Sequence, residues 1–418
     1  MARSAQVLTT LLVLLFFILS PALSSSIVAR AQSASASEGE YAAGEVLIQW
    51  NKGVSDSRRQ SALVRIGHYV LTEIPRLRVS RLAVTPGQEL ALIQRLADHP
   101  LIATAEPNYI AHASSVTPAY PDDPYWVKLW NIRRVEADHA WELSTGNSGL
   151  VVAILDSGID INHSDINSNL VPGFDFVNND ADPADDYGHG THVAGTIAAR
   201  VGNGEGVSGI APDVSIMPVK VLNDNGSGTY LQIAQGILFA VDQGADIVNL
   251  SLGGGSTSSS LSDAVDAAEA AGVLVVASAG NQGTTTVNYP ARYESVMAIA
   301  ATDHYDEWPT YSNRGPDVDM AAPGGISVDQ VWSTWPTTLG HNYDWEYGTS
   351  MSAAHVSAAA ALVWDVNPSL PHTEVANILK QTTDQVGQFS YYGGRNDYLG
   401  SGRLNVHSAL REAMLPEL

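Results

Sequence analysis

Five short apolar runs, at residues 150–155, 214–222, 246–252, 273–277 and 296–300, recur along the chain, with helix-like stretches at 189–199, 231–243 and 261–271 among them. Apolar strands alternating with helices make a parallel sheet, because each crossover needs a helix and that helix covers a face of the sheet. The expected fold class is therefore α/β, a doubly wound and mainly parallel sheet with helices on both faces. Ligands of such sheets bind beyond the carboxyl ends of the strands. Several polar residues fall at those ends, and a further alanine-rich helical run spans 350–364.

The chain before this pattern reads differently. Arg3 precedes an apolar run at 7–19 that is short for a membrane span, and small residues follow it. This is the pattern of a secretory signal peptide over 1–31, cut after Ser24 or Ala31, with an uncleaved anchor helix as the alternative. Residues 32–40 are small and polar, as in a linker. Strand-like segments at 44–50 and 102–109, with helical spacing at 86–99, then make a small α+β unit. A stretch rich in Pro, Ser and Asp at 114–123 marks a boundary, so domains are expected at 32–117 and 118–418.

The chain has no cysteine, so no disulfide stabilises an exported form. Residues 1–117 carry ten Lys and Arg against eight Asp and Glu, and the remainder carries 11 against 36. An acidic region of this kind argues against nucleic acid as a partner, since phosphate binding needs clustered Lys and Arg. It suits solubility and cation binding.

Four polar residues sit at junctions where chemistry is feasible. Asp156 directly follows the first apolar run, placed either to orient a histidine or to cap the turn before Gly158. His189 opens a helical stretch between two glycines, which permit close backbone approach. His192 lies one turn further on; local packing is its simpler role, and a His-x-x-His zinc pair lacks an obvious third ligand. Asn281 follows the run at 273–277 and is either an amide donor or a turn residue. Ser350 begins the alanine-rich helix, as a cap or as a nucleophile favoured by free N–H groups and the helix dipole.

The segments around these residues are Ile154-Leu155-Asp156-Ser157-Gly158-Ile159, Gly188-His189-Gly190-Thr191-His192-Val193-Ala194-Gly195, Ala279-Gly280-Asn281 and Gly348-Thr349-Ser350-Met351. With these four motifs in this order, the chain resembles the subtilisin-like serine proteases (subtilases), thermitase group, over about residues 44–410. The resemblance implies a secreted, broad-specificity endopeptidase acting on proteins and peptides through Asp156, His189 and Ser350, with Asn281 as oxyanion donor. It further implies that the N-terminal unit is a propeptide, chaperone and then inhibitor. Its tail 106–113 would occupy the cleft until cut, giving a mature monomer that starts between 112 and 120.

By the same resemblance, Gly226, Ser227 and Gly228 form an edge strand for the substrate backbone. Tyr230 lines the pocket for the fourth residue before the cut. Ser251, Leu252 and Gly253 and Ser278, Ala279 and Gly280 wall the primary pocket, with Asn288 at its floor making it shallower and more polar. A Ca²⁺ site is implied at Asp123, Asp165, Asn203 and the carbonyls of Arg200, Glu205 and Val207, an all-oxygen set that suits this ion. A second is implied at Asp175, Asn178, Asp180 and Asp182, where Ala184 replaces a family ligand. Two departures stand out: Ala354 where the family has proline, and a longer aromatic loop before Gly348 carrying Trp332, Trp335, Tyr343, Trp345 and Tyr347. That loop either shapes the leaving-group side of the cleft or packs its own aromatics.

Overall fold

The computed structural model describes residues 41–109 and 121–415, except Asn167 and Asn169. The expected signal peptide, linker and maturation region lie outside the described residues, as does the end of the 106–113 tail. The described residues form two compact units, 41–109 and 121–415.

In the first unit the strands are β1 (Tyr41–Trp50), β2 (Val70–Ile74), β3 (Val79–Ala83) and β4 (Ile102–Tyr109), and the helices are α1 (Asp56–Ile66) and α2 (Glu89–Leu96). The strands form an antiparallel sheet in the order β2-β3-β1-β4. Alternate residues of β1 (Val46, Ile48 and Trp50) are buried and meet Leu82, Leu92 and Leu96 in one core, as the two-residue period of a strand requires. The start of α2 is held by Glu89, whose carboxylate accepts from the N–H of Gly44 at 2.6 Å and of Gly87 at 2.8 Å. The sequence reading anticipated β1, α2 and β4 but not α1, β2 or β3. Only Ala62 and Leu63 of α1 are buried and β2 is exposed throughout, so neither shows an apolar period.

The second unit is built on seven strands: β5 (Val151–Asp156), β6 (Phe174–Asp175), β7 (Ser215–Lys220), β8 (Ile247–Leu250), β9 (Leu274–Ser278), β10 (Val296–Thr302) and β11 (Met320–Pro323). Their order is β11-β10-β9-β8-β5-β7-β6, with every pair parallel. The long helices are α3 (His189–Ala198), α4 (Tyr230–Asp242), α5 (Ser259–Ala270), α6 (Thr349–Val366), α7 (His372–Gln381) and α8 (Val406–Ala413). Side chains of each strand divide between two cores. Val152 and Ile154 join α3, α6, α7 and α8 on one face, while Ala153 and Leu155 join α4 and α5 on the other. That division is why the strand segments are apolar without alternation.

Along this sheet β5 is followed by β6 and β7 on one side and by β8 and β9 on the other. The carboxyl ends of β5 and β8 therefore flank a crevice of the kind in which such sheets bind ligands. The aromatic segment before Gly348 is not a plain loop. It pairs as an antiparallel hairpin of β12 (Val331–Thr334) and β13 (Tyr343–Glu346), with Val331 opposite Glu346 and Thr334 opposite Tyr343. No helix among the described residues is long and apolar enough to cross a membrane.

Candidate active site

Asp156 is the last residue of β5 and is fully buried. Its Oδ1 accepts from the Ser157 N–H at 2.8 Å and lies 2.7 Å from Nδ1 of His189. Burial opposes charge on the His189 imidazole. The Asp156 carboxylate, helped by Glu346 and Asp185, outweighs it and raises the affinity of the ring for a proton.

The turn bearing His189 is set by Asp185, a residue the sequence reading missed. Its Oδ1 accepts from the N–H groups of Tyr187 (3.0 Å) and Gly188 (2.8 Å) and from Ser157 Oγ (2.8 Å). Its Oδ2 accepts from Thr191 N–H (2.9 Å) and Oγ1 (2.6 Å). One carboxylate thus caps α3 and ties it to the turn after Asp156. Gly188 has φ +111°, and a Cβ there would lie 2.2 Å from the Trp335 ring, so only glycine fits. Beneath the same turn lies Lys220, 1% exposed, whose Nζ donates to the Ser157 carbonyl (2.6 Å), the Leu222 carbonyl (2.9 Å) and Asp186 (2.6 Å).

Ser350 occupies the first turn of α6. Its Oγ donates to the Ser251 carbonyl at 3.0 Å, and Ser251 Oγ donates back to the Ser350 carbonyl at 2.8 Å. The chain of bonds continues inward, from Asn249 Nδ2 to Ser251 Oγ (3.0 Å) and from Ser357 Oγ to Asn249 Oδ1 (2.9 Å). Asn249 and Ser357 gave no signal in the sequence, since isolated polar residues inside apolar runs are common. Asn281 Oδ1 accepts from Thr349 N–H (3.0 Å) and Oγ1 (2.8 Å). Fixing the carbonyl end of this amide leaves Nδ2 as its free donor, beside Gly348.

His192 is buried, with Nε2 3.1 Å from the Val331 carbonyl. Burial, then the His189 charge, pushes its pKa down to about 3, so it is a neutral packing residue. Among the described residues no three His, Cys, Asp or Glu side chains converge as a metal group.

A cleft cavity of about 330 Å³ opens beside His189, lined in part by Gly226, Ser227, Gly228, Tyr230, Ser251, Leu252 and Gly253. Ser278, Ala279, Gly280 and Asn288 do not line it. Asn288 instead sits between two walls: a Cβ on Gly253 would lie 3.0 Å from the Asn288 Cβ, and one on Gly280 would lie 2.6 Å from its Nδ2. Gly226, Ser227 and Gly228 have no strand partner among the described residues. Asn223 folds the segment into a turn, accepting from Gly226 N–H at 2.9 Å and donating to Ser227 at 2.9 Å.

The acidic loops are also brought into order. Asp123 accepts from the N–H groups of Gly202 and Asn203 (each 3.0 Å) and from Ser208 Oγ (2.6 Å). Asp165 accepts from Asn203 Nδ2 (2.9 Å), Val207 N–H (3.0 Å) and Tyr343 (3.4 Å), and its carbonyl accepts from Arg200 N–H (2.9 Å). Burial, then the charges of Asp123 and Glu205, outweighs these bonds and pushes the Asp165 carboxyl up to about 6. Asp123, Asp165 and Glu205 give this loop a surplus of negative charge, which fits a hard divalent cation, whereas Asn203 turns its amide nitrogen to Asp165 and its oxygen to the Glu205 N–H. At the other acidic loop Asp175 Oδ1 accepts from Val177 (2.6 Å) and Asn178 (2.9 Å), and Asp180 Oδ1 accepts from Asp182 N–H at 3.0 Å. Those contacts make a local turn in which Asp182 is exposed.

Comparison with known proteins agrees with this architecture. Residues 147–402 match the Subtilase family, and residues 28–108 match the Fervidolysin N-terminal prodomain. A thermophilic serine proteinase of a Bacillus species is 36% identical over 89% of this chain and 88% of its own length. Thermitase of Thermoactinomyces vulgaris is 40% identical over 70% of this chain and 99% of its own. Among solved structures, a protease from Pseudoalteromonas arctica superposes with a TM-score of 0.64 at 32% identity, covering 71% of this chain and all of the other. A parallel sheet with a polar crevice at its switch point, joined to a prodomain, thus has its counterpart in serine endopeptidases, and the chain belongs to the subtilase family as a thermitase-like member.

Proposed function

We propose that the protein is a secreted, broad-specificity endopeptidase, made as a zymogen that cuts off its own prodomain. The observation that carries the catalytic assignment is the 2.7 Å bond between Asp156 and His189, with Ser350 at a helix N-terminus bonded to Ser251, which lines the same cleft as His189. Asp156 fixes the imidazole with Nδ1 protonated, so that Nε2 is the basic nitrogen. On binding of substrate the Ser350 hydroxyl turns from the Ser251 carbonyl to Nε2 of His189, gives up its proton and attacks the peptide carbonyl. The imidazolium then protonates the leaving amine, and water hydrolyses the acyl-enzyme by the reverse proton path. Negative charge on the tetrahedral oxygen is met by Asn281 Nδ2 and the Ser350 N–H, at the positive end of α6.

Gly226, Ser227 and Gly228 would receive the substrate backbone, and Tyr230, Ser251–Gly253 and Ser278–Gly280 its side chains, with Asn288 moderating preference for large aromatics. Backbone pairing of this kind tolerates many sequences, which supports broad specificity. Ca²⁺ would be held by Asp123, Asp165, Asn203 and the carbonyls of Arg200, Glu205 and Val207, and at a second position by Asp175, Asn178, Asp180 and Asp182. In both places it would serve stability. Hydrolysis of casein and a peptide panel by the mature enzyme, with Ser350→Ala beside it, tests the reading. Normal turnover by a folded Ser350→Ala protein would overturn it.

A further inference from the structure

Residues 118–418 carry 11 Lys and Arg against 36 Asp and Glu, so cations are scarce on this unit. Among the described residues Arg134, Lys220, Arg292, Lys380, Arg395 and Arg403 already sit at ion-pair distance of a carboxylate. Lys128 and Arg133 do not, and both line one cavity of about 430 Å³. Aromatic rings hold the two cations without neutralising them. Trp332 and Trp345 stand opposite each other in the hairpin ladder, and the Lys128 ammonium lies 3.7 Å from the first ring and 5.2 Å from the second. The Arg133 guanidinium lies 5.5 Å from the Trp126 ring and donates to the carbonyls of Trp126 (3.0 Å) and Val127 (3.5 Å). A cation over a ring face keeps its charge for a further ligand.

The same cavity is apolar at its rim. Val127 and Val328 both line it, and each is 80% exposed. A single exposed valine is ordinary, but here two flank Trp345 and a stacked pair, Trp130 and His304, 5.1 Å apart. A contiguous apolar patch of this kind marks an interaction site. Among the described residues Asp329 is the only acidic one in the lining. The cavity shares no residue with the cleft beside His189, so it is a separate surface.

We infer that this cavity is an exosite for acidic polypeptide segments bearing apolar side chains, and that it retains protein substrates which the rest of the unit repels. Carboxylates meet Lys128 and Arg133, while leucine-sized side chains meet Val127, Val328 and the rings, so charge and apolarity are both matched. Two cations are too few to hold a phosphate backbone against this net charge, and nucleic acid does not fit. The inference rests on the endopeptidase reading above and names a substrate class within it.

The test uses the matured full-length product blocked by a sulfonyl fluoride, with a fluorescent peptide of alternating Glu and Leu read by anisotropy. The peptide should bind, and its counterpart with Gln for Glu should bind roughly fivefold more weakly, although the unit as a whole is acidic. Joint Lys128→Met and Arg133→Met substitution should raise Kd for the Glu peptide about tenfold, as two partly exposed charge pairs are lost. Val328→Glu, at an exposed position, should raise it roughly threefold through like-charge repulsion. In unblocked enzyme, the Glu-Leu segment joined through a Gly-Ser linker to a cleavable reporter should lower KM with kcat unchanged, mass spectrometry confirming the bond cut. The double substitution should abolish that advantage. No binding by wild type, equal binding of the Gln peptide, or a Kd unmoved by both variants would overturn the inference. Should the double variant not fold, Val328→Glu decides alone. Failure to cleave any reporter would instead strike at the endopeptidase reading, and the Kd series, measured on the unblocked protein, would still decide the binding site.

Discussion

Lys220→Met isolates what the buried ammonium under the Asp156 turn contributes. Methionine keeps most of the stem volume, so the change is chiefly the loss of three bonds. Two run to carbonyls, of Ser157 (2.6 Å) and Leu222 (2.9 Å), in a region that is buried. Each carbonyl left without a partner costs about 1–3 kcal/mol, a gross loss of about 2–6 kcal/mol. Relief from burying an ammonium offsets part of this, leaving a net loss of about 2–4 kcal/mol. The third bond goes to Asp186, whose side chain is 49% exposed, and is worth under about 1 kcal/mol. Asp186→Asn should therefore destabilise far less than Lys220→Met.

Because Ser157 also donates to Asp156 and Asp185, its displacement should loosen both carboxylates around His189 and lower kcat by roughly tenfold with little change in KM. Urea unfolding of mature enzyme blocked by a sulfonyl fluoride, which prevents self-cleavage, gives the stability. Steady-state peptide hydrolysis gives kcat. Lys220→Met within 0.5 kcal/mol of wild type, in the sense of an ordinary surface change and with kcat unaltered, would refute the reasoning.

Ser350→Ala should lose turnover by about 10⁶-fold, the scale known for the nucleophile of a subtilisin, and should keep its prodomain attached when the intact mass is measured. Asn281→Ala should lower kcat by about 10²–10³, again a subtilisin value and not one worked out from this structure, with KM nearly unchanged in initial-rate assays. A chelator should lower the melting temperature by roughly 5–10 °C if the cation is present at 100–1,000 times its Kd, and calorimetry showing no change would remove the cation from the account. The neutral imidazole is the active form and the Glu346 charge favours the protonated one, so activity rises with pH through the His189 pKa. Glu346→Gln should move that rise to lower pH in a kcat/KM profile, and an unmoved or raised midpoint would contradict the electrostatic assignment.

The parallel sheet was legible because strands buried on both faces must be continuously apolar: β7 and β8 fall within the expected runs, and β5, β9 and β10 overlap theirs and extend one or two residues beyond. β11, β6 and helices α7 and α8 were not anticipated: two of them are strands of four and two residues, too short to carry a period. Asp156 and His189 were readable as a pair only through their neighbours, and the bond between them is now described. The supporting residues were not readable. Asp185, Lys220 and Asn249 each join local bonds to at least one residue distant in sequence, Ser157 for the first two and Ser357 for the third, and a buried lysine looks like any other in a string of letters. The hairpin of β12 and β13 looks like a loop in sequence because its aromatic residues share a face with Tyr125 and Lys128, some 200 positions earlier, which no local pattern reveals.

Along α6, every residue from Thr349 to Trp364 is buried, and most are alanine or serine. A helix so placed cannot fray or swing without opening the middle of the molecule, so Ser350 shares the fate of the entire core. Heat inactivation should then coincide with global unfolding and not precede it. For a protein surrounded by copies of itself that cut polypeptides, this has a further meaning. Partial openings would offer a neighbour's cleft an extended segment to digest, and mounting the proposed nucleophile on so deeply buried a helix makes such openings rare.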